Sequence, residues 1–230
     1  LSNMIKAGAD IIDVGGESTR PGSKTIDPSV EWKRVKSIVR YFKKKYKKKC
    51  LSLDTRKSDL MVKGINFGVD IINDVSGFEY DRNSLNILKN YKITKIIHHM
   101  QGNPSNMQNN PKYKNVLLDI YDFFEDSIKN KFSDRNIILD PGIGFGKTFK
   151  DNFKLINHLE KFCDLGIPIL IGPSRKSFIG NALNEEPEFR LEGTSAAVSA
   201  GILRGARIVR VHDVYQIKKV VKITDLIKEA

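Results

Sequence analysis

The chain has 230 residues, of which 40% are hydrophobic and 29% charged, with 8 Pro, 17 Gly and 2 Cys. This composition is that of an ordinary globular protein and argues against disorder, collagen and disulfide scaffolds. No apolar run approaches the roughly 20 residues that cross a bilayer, and the first residues lack the pattern of a signal peptide, so we predict no membrane partner. Cys50 and Cys163 lie far apart, which predicts free thiols in a reducing cytoplasm.

Lys and Arg outnumber Asp and Glu by 39 to 27, and the formal net charge of +12 makes nucleic acid a partner to consider. The densest basic segment, residues 43–49, falls where a helix containing Val35, Val39 and Phe42 is expected to end. Lysines are favoured at a helix C-terminus and are usually solvated there. No aromatic residues alternate with base-reading side chains, so we predict no nucleic-acid partner.

Short β-branched runs alternate with helical patterns along the whole chain, which is typical of parallel α/β architecture. The predicted strands are Asp10–Val14, Cys50–Asp54, Asp70–Asp74, Thr94–His98, Asn136–Asp140, Ile169–Gly172 and Arg207–Val211. Each is a compact apolar run that suits a sheet buried on both faces. Because no linker interrupts the even spacing of the βα units, we predict a single domain over residues 1–230.

A weak internal repeat fixes the register of three strands. The repeats begin at Gly8, Gly68 and Gly205. Each glycine suits the position after a helix, where a positive φ is easiest for a residue without a side chain. Since strand side chains alternate with period 2, the residues five positions later, Asp13, Asn73 and Arg210, should share one face. In a closed barrel that face is the lumen near the C-terminal mouth.

Polar residues stand at the ends of the predicted strands, where the active sites of (β/α)8 barrels are built. The carboxylates and amide are Asp54, Asn73 and Asp140, and the cations are Arg20, Arg175, Lys176 and Arg210, with His212. Carboxylate and amide groups suit a flat heterocycle with several N–H donors. Cations suit a phosphate or another anion. These residue types therefore predict a ring that carries a phosphorylated arm.

The glycine-rich segment 141–148 matches neither of the common nucleotide-binding patterns. Pro141 stands where a P-loop needs its first glycine, and Lys147 stands where a dinucleotide-binding loop needs its third. We predict a βα loop with Phe145 exposed at its tip. His98 and His99 have no second cluster at metal-ligand spacing, which favours a strand-end role over a zinc site.

Seven segments together resemble the dihydropteroate synthase family closely. They are Asp13–Gly22, Leu53–Lys57, Asp70–Gly77, His99–Pro104, Asp140–Lys147, Gly172–Ser177 and Arg210–Asp213. They occur in the family's order and span nearly the whole chain. The resemblance implies a TIM (β/α)8 barrel that joins 4-aminobenzoate to 6-hydroxymethyl-7,8-dihydropterin diphosphate, releasing diphosphate and 7,8-dihydropteroate.

The resemblance also implies roles for individual residues. Asp54, Asn73 and Asp140 are expected to hold the pterin, with Lys176 at its edge and Arg210 on its face. The aminobenzoate and anion contacts are Thr19, Arg20, Phe145 and Ser177, and Arg210 with His212 cradles the diphosphate. Asp13, Met100 and Gly172 complete the predicted substrate-binding set, and Arg20, Lys176, Arg210 and His212 are the predicted catalytic residues.

The start of the chain departs from the family pattern. Members of the family begin with a strand and an Asn-Val-Thr-Pro-Asp-Ser-Phe-Ser-like loop, whose Asn is a Mg²⁺ ligand, and nothing here matches it. Leu1–Ala7 is similar to the rest of the helix that follows that strand. We therefore predict a barrel that lacks its first strand, with Mg²⁺ as cofactor but no metal ligand in this chain.

Two other functions remain open at this point. A pterin-dependent methyltransferase shares the barrel and the Asp/Asn grip, but it needs no diphosphate pocket. A truncated, inactive barrel kept for association would explain the unmatched start. The resemblance further implies a homodimer, and a folate-pathway domain fused upstream is a possible partner.

Overall fold

The computed structural model describes residues 1–132 and 136–230. Its centre is a sheet of seven parallel strands in sequential order. The strands are β1 Ile11–Gly15, β2 Cys50–Asp54, β3 Ile71–Asp74, β4 Thr94–His98, β5 Ile137–Asp140, β6 Ile169–Ile171 and β7 Ala206–Val209. Each strand is followed by helical structure on the outer face. This arrangement confirms the predicted α/β barrel of the TIM type.

Nine α-helices lie in the described residues. They are α1 Ser2–Lys6, α2 Pro28–Lys45, α3 Ser58–Asn66, α4 Ser84–Leu88, α5 Val116–Asp126, α6 Phe149–Asn157, α7 Ser177–Leu183, α8 Leu191–Leu203 and α9 Val214–Glu229. Local sequence explains where several begin. Asp27 caps α2 by accepting a hydrogen bond from the Ser29 N–H at 2.7 Å, and Pro28 follows it. None of the described helices is both long and apolar enough to cross a membrane.

Side chains along each strand point alternately to the two faces of the sheet, and each face carries an apolar layer. Outward residues pack under the helices, among them Leu51, Leu53, Ile72, Ile97, Leu139 and Ile171. Inward residues form a smaller cluster of Ile71, Ile96, Ile138 and Leu170 at the lower part of the lumen. Two residues further along β3 and β5 the inward positions become Asn73 and Asp140. Because strand side chains alternate with period 2, these polar groups lie in the lumen above the smaller apolar cluster.

The predicted elements are confirmed with small shifts in their bounds. The last strand runs over Ala206–Val209 rather than to Val211, although the Arg210 N–H still donates to the Ile171 carbonyl at 2.8 Å. The Arg210 side chain reaches two carboxylates across the lumen. The glycines that begin the three repeats have φ of +98°, +85° and +105°. Leu1–Ala7 contains the predicted helix. Within the described chain β1 and β7 form the two edges of the sheet and do not pair with each other.

Candidate active site

A cavity of about 680 Å³ opens at the C-terminal ends of the strands. Its lining includes the predicted residues Asp13, Thr19, Arg20, Asp54, Asp140, Phe145, Gly172, Lys176, Ser177, Arg210 and His212. These residues come from both edges of the sheet and from most of the strands between them. The tertiary structure therefore brings together nearly the whole set that the sequence predicts.

Polar groups form the floor of the cavity, where the partly buried Asp54 and the buried Asp140 line it and the buried Asn73 lies beside Asp54. Asp140 is 2% exposed and accepts a hydrogen bond from the Gly142 N–H at 2.9 Å. Burial raises the pKa of Asp140, and burial together with the neighbouring Asp13 raises that of Asp54 well above its ordinary value. The floor is thus held in an environment that penalises isolated negative charge.

Asn73 carries two buried polar atoms that have no partner among the described residues. It is paired with Asp54 across β2 and β3, it is fully buried, and within residues 1–132 and 136–230 neither its amide nitrogen nor its amide oxygen forms a hydrogen bond. Its side chain is not among those that line the cavity. Because buried amides are nearly always satisfied, this pair indicates a site built for a donor and acceptor supplied from outside.

Arg210 links the floor to the open edge of the barrel. Its Nε lies 3.2 Å from an Asp13 carboxylate oxygen, and its Nη1 lies 3.4 Å from one of Asp140. The remaining Nη2 is buried without a partner. Burial lowers the pKa of the guanidinium, but the attraction of Asp13, Asp140 and Asp54 outweighs it and leaves the pKa raised. Arg210 therefore stays charged and has one fork position free for a ligand.

Lys176 and Phe145 form one wall of the cavity. The Lys176 Nζ donates to the Ile143 carbonyl at 2.8 Å and lies 3.8 Å from the centre of the Phe145 ring. Burial lowers the Lys176 pKa to about 7, against the opposing attraction of Asp140. Phe145 is half-buried, so its predicted exposed tip is wrong. Gly144 and Gly146, with φ of +80° and +58°, turn the loop inward.

His98 lies in the cavity as a neutral side chain. It is 1% exposed, its Nδ1 lies 3.1 Å from the Val75 carbonyl oxygen, and burial lowers its pKa well below the ordinary value. The Phe145 ring packs edge-on against it at 4.5 Å. No cluster of three or more metal-binding side chains occurs in residues 1–132 and 136–230. The strand-end role predicted for His98 therefore fits its surroundings.

Met100 is the predicted substrate contact, besides Asn73, that does not line the cavity. The chain leaves β4 after His98, and Met107 from the following loop occupies the wall instead. Met107 and His98 are absent from the predicted substrate-binding set because both lie outside the seven segments that resemble the family. Residue polarity could not find Met107 either, since it is an apolar loop residue.

A rim of three more accessible basic side chains surrounds the opening, namely Arg20, Arg175 and His212. Arg175 is held by Asp213, whose carboxylate accepts from both its Nε, at 2.9 Å, and its Nη2. The His212 Nδ1 lies 3.0 Å from the Ser174 hydroxyl, which also accepts from the His212 N–H at 3.1 Å. Burial and the positive charge of Arg175 lower the His212 pKa. The rim can surround an anion that projects outward from the floor.

Known proteins share both the sequence and this geometry. The profile of the family described as pterin binding enzyme matches residues 1–212. A dihydropteroate synthase of Clostridium beijerinckii is 41% identical over 99% of this chain and 83% of its own length. A solved dihydropteroate synthase from Clostridium difficile, obtained in the presence of pteroic acid, has a TM-score of 0.91 at 40% identity and covers 98% of this chain and 85% of that chain.

A third similar protein was solved with one of the expected substrates. The Xanthomonas albilineans dihydropteroate synthase with 4-aminobenzoic acid has a TM-score of 0.92 at 32% identity, and the match covers 100% of this chain and 83% of that chain. The match therefore extends over the whole of this chain.

Proposed function

The chain belongs to the dihydropteroate synthase family of pterin binding enzymes, and we propose that the cavity of this chain condenses 4-aminobenzoate with 6-hydroxymethyl-7,8-dihydropterin diphosphate. The protein is a transferase of folate biosynthesis. The observation that carries the site assignment is the buried floor beneath a cationic rim. A pterin presents ring N–H groups to carboxylates, and its diphosphate arm requires cations at a distance from them.

The floor supports binding of the pterin ring at its polar edge. Asp54 and Asp140 can each accept two parallel N–H bonds, and the unpartnered Asn73 amide supplies one donor and one acceptor. A neutral ligand with several N–H groups would satisfy these atoms without adding charge to the lumen. Burial raises the pKa values of the two carboxyls, and bonded N–H groups would counter that effect by stabilising their charged forms.

The rim supports departure of diphosphate without a protein nucleophile. The bond from the pterin methylene carbon to the diphosphate oxygen breaks, and its electron pair leaves with diphosphate. Arg210, His212 and Arg20 lie where they would stabilise that charge. The amine of 4-aminobenzoate forms the new C–N bond and then loses its proton. Positioning both substrates in one cavity supplies much of the remaining acceleration.

Mg²⁺ remains a proposal that rests on the resemblance. The described residues contain no group of three or more His, Cys, Asp or Glu side chains able to hold a metal ion, and Mg²⁺ is commonly held by one or two carboxylates together with substrate phosphates. When bound, the ion would supply charge stabilisation to the diphosphate. No step above depends on it.

An apolar surface supports the proposed homodimer. A groove of about 480 Å³ lies between α8 and α9, and its lining includes Leu203, Ile223 and Ile227. These three side chains are about half exposed or more, and contiguous apolar surface of this kind favours association. We further propose a cytoplasmic location, in keeping with the free Cys50 and Cys163, and a single domain for residues 1–230, in keeping with one continuous sheet.

Turnover tests the proposed function directly. The chain is mixed with 4-aminobenzoate, the dihydropterin diphosphate and Mg²⁺, and formation of dihydropteroate is followed with diphosphate release. A chain extended upstream serves as comparison, and activity only in that form would support the inactive-barrel alternative for residues 1–230. Calorimetry with methyl-tetrahydrofolate tests the methyltransferase alternative. Tight binding of that ligand, together with no response to the dihydropterin diphosphate, would reject the synthase.

A further inference from the structure

The glycine-rich loop over residues 141–148 is held by its backbone carbonyl groups. It lies between β5 and α6, outside the sheet and the helices, so its polar backbone groups need other partners. Each of the four carbonyls of residues 143–146 accepts a hydrogen bond from a side chain. The donors are Lys176 to Ile143 at 2.8 Å, Gln108 to Gly144 at 2.9 Å, Lys147 to Phe145 at 2.7 Å and Tyr113 to Gly146 at 2.6 Å. Side chains from three parts of the chain therefore fix the path of the loop.

Lys147 is the most buried of these four donors, with 3% of its surface exposed. Its Nζ donates to the Phe145 carbonyl and, at 3.2 Å, to the His99 carbonyl, and it lies 3.0 Å from the His99 Nδ1. None of these three contacts involves a carboxylate. Since lysine is almost never fully buried unless it is paired, the placement of Lys147 calls for a role beyond packing.

The contacts of Lys147 can persist in both protonation states of its amine. Burial lowers the Lys147 pKa to about 7, with Lys176 acting in the same sense and Asp140 and Asp151 opposing it. The ammonium has three N–H donors for the three neighbouring atoms. The neutral amine keeps two donors for the carbonyls, and its lone pair can accept from the His99 ring. That ring stays neutral, because burial and the Lys147 charge lower its pKa well below the ordinary value.

Lys147 joins two loops that are in direct backbone contact. A Cβ at Gly142 would overlap the His99 carbonyl oxygen, so no side chain fits between the glycine-rich loop and the end of β4. The Lys147 Nζ donates to one carbonyl on each side of this contact, that of His99 and that of Phe145. It therefore fixes the peptide that follows Phe145 relative to the end of β4.

The orientation of that peptide affects the cavity through the Phe145 ring. The ring centre lies 3.8 Å from the Lys176 Nζ and 4.5 Å from the centre of the His98 ring. Phe145 lines the cavity, whereas Lys147 is not among the residues that line it. Lys176 has its own bond to the Ile143 carbonyl. Loss of the Lys147 contact would therefore shift an apolar part of the wall while leaving Lys176 attached.

We propose that Lys147 is a positioning residue that holds Phe145 in the wall of the cavity and thereby sets the affinity for 4-aminobenzoate. A preorganised wall favours binding, because its side chains do not have to be ordered when the substrate enters. The effect on aminobenzoate rests on the proposed function, whereas the placement of the ring by Lys147 does not.

Steady-state kinetics compares Lys147→Met with the matched control Tyr113→Phe. The first change removes the donor to the Phe145 carbonyl, and the second removes the donor to the next carbonyl, that of Gly146. In Lys147→Met we expect KM for 4-aminobenzoate to rise about five- to tenfold, with kcat within about twofold of wild type. Tyr113→Phe should leave both values within about twofold. Unchanged KM in Lys147→Met, or an equal rise in Tyr113→Phe, would overturn the proposal.

The pH dependence distinguishes positioning from direct attraction between the Lys147 charge and the aminobenzoate carboxylate. The charged neighbours Asp140, Asp151 and Lys176, together with His99, are present in wild type and in Lys147→Met. We expect the ratio of the two KM values to be the same at pH 6 and pH 9, because the neutral amine still holds both carbonyls. A ratio that falls toward one as the pH rises would show that the charge acts directly and would reject the positioning role.

A fluorine label reports the position of the ring without turnover. With 4-fluorophenylalanine at position 145, the resonance senses the nearby Lys176 and His98. We expect a shifted or broadened resonance in Lys147→Met and an unchanged one in Tyr113→Phe. An unchanged resonance in folded Lys147→Met would overturn the proposal. A wild-type protein without turnover would instead reject the proposed function, and the fluorine comparison would still decide whether Lys147 places Phe145.

Lys147→Gln keeps the test decisive if Lys147→Met is poorly folded. Its side chain is polar but shorter, so we expect it to lose contact with at least one of the two carbonyls. Thermal melting checks the fold of each variant. KM for 4-aminobenzoate and the fluorine resonance should change in the same direction as in Lys147→Met. Wild-type values of both in folded Lys147→Gln would equally count against the proposal.

Discussion

The floor and the rim of the cavity use charge in opposite ways. Asp140 is 2% exposed and its pKa is raised by burial, whereas Arg20 is exposed at the opening. Electrostatic interactions in a buried, low-dielectric site are strong and little affected by salt, while exposed charges are screened. The floor therefore sets recognition of the ring, and the rim adjusts handling of the anion. The difference predicts large effects from the floor and smaller ones from the rim.

Asp140→Asn should give the largest effect. The change removes charge-assisted bonds to the pterin and a counter-charge of Arg210, so we expect kcat/KM to fall by the equivalent of about 2–4 kcal/mol. Steady-state kinetics measures the loss, and pterin affinity should fall with it. Asp10→Asn is the control, because Asp10 is exposed and pairs with Lys218 outside the cavity. Near-normal efficiency in Asp140→Asn would reject the floor as the pterin site.

The buried Lys147 predicts a pH dependence of the free energy of unfolding. It is 3% exposed, its Nζ donates to the Phe145 carbonyl at 2.7 Å and lies 3.0 Å from the His99 Nδ1, and burial lowers its pKa from 10.5 to about 7. Between these values the unfolded chain binds a proton that the folded protein does not. The free energy of unfolding should therefore rise with pH in that window, by about 1.4 kcal/mol per pH unit for this group.

Denaturant unfolding of wild type and Lys147→Met from pH 7.5 to 9 measures this contribution. The difference between the two free energies of unfolding should grow with pH, because only wild type carries the buried amine. Lys176 contributes in both proteins and cancels from the difference. Parallel pH profiles would contradict a lowered pKa at Lys147.

His212→Ala sharpens the comparison at the rim. Its ring faces the opening and contacts Ser174 rather than the floor. We expect about a tenfold loss in kcat/KM for the diphosphate substrate, with binding of the free hydroxymethyl pterin unchanged. Calorimetry with the two ligands separates these effects. Loss of both affinities together would indicate a folding defect instead of a role in diphosphate handling.

Salt should have the smallest effect and should act on the rim alone. Raising the KCl concentration from 50 to 500 mM is expected to weaken binding of the diphosphate substrate about threefold or more, because the charge of the exposed Arg20 is screened. Binding of the free pterin should change little. Equal weakening of both ligands would show that the floor is as accessible to ions as the rim, which would remove the distinction between them.

The sequence by itself determined the strands and the side chains that face the lumen. Asp13, Asn73 and Arg210 could be placed on one face because the period of a strand is independent of its surroundings. Glycine at the start of each repeat fixed where the preceding helix ends, since only glycine takes positive φ there without strain. The residue types at the strand ends were enough to separate an acidic floor from a basic rim.

Only the tertiary structure decided how these groups interact. Phe145 turns inward, Lys147 is buried, and Glu17 meets Arg56 across 39 positions of sequence. No local pattern predicts these contacts, because burial and pairing depend on which loops meet above the sheet. The residue types were therefore available from the sequence, whereas their pKa values follow from packing.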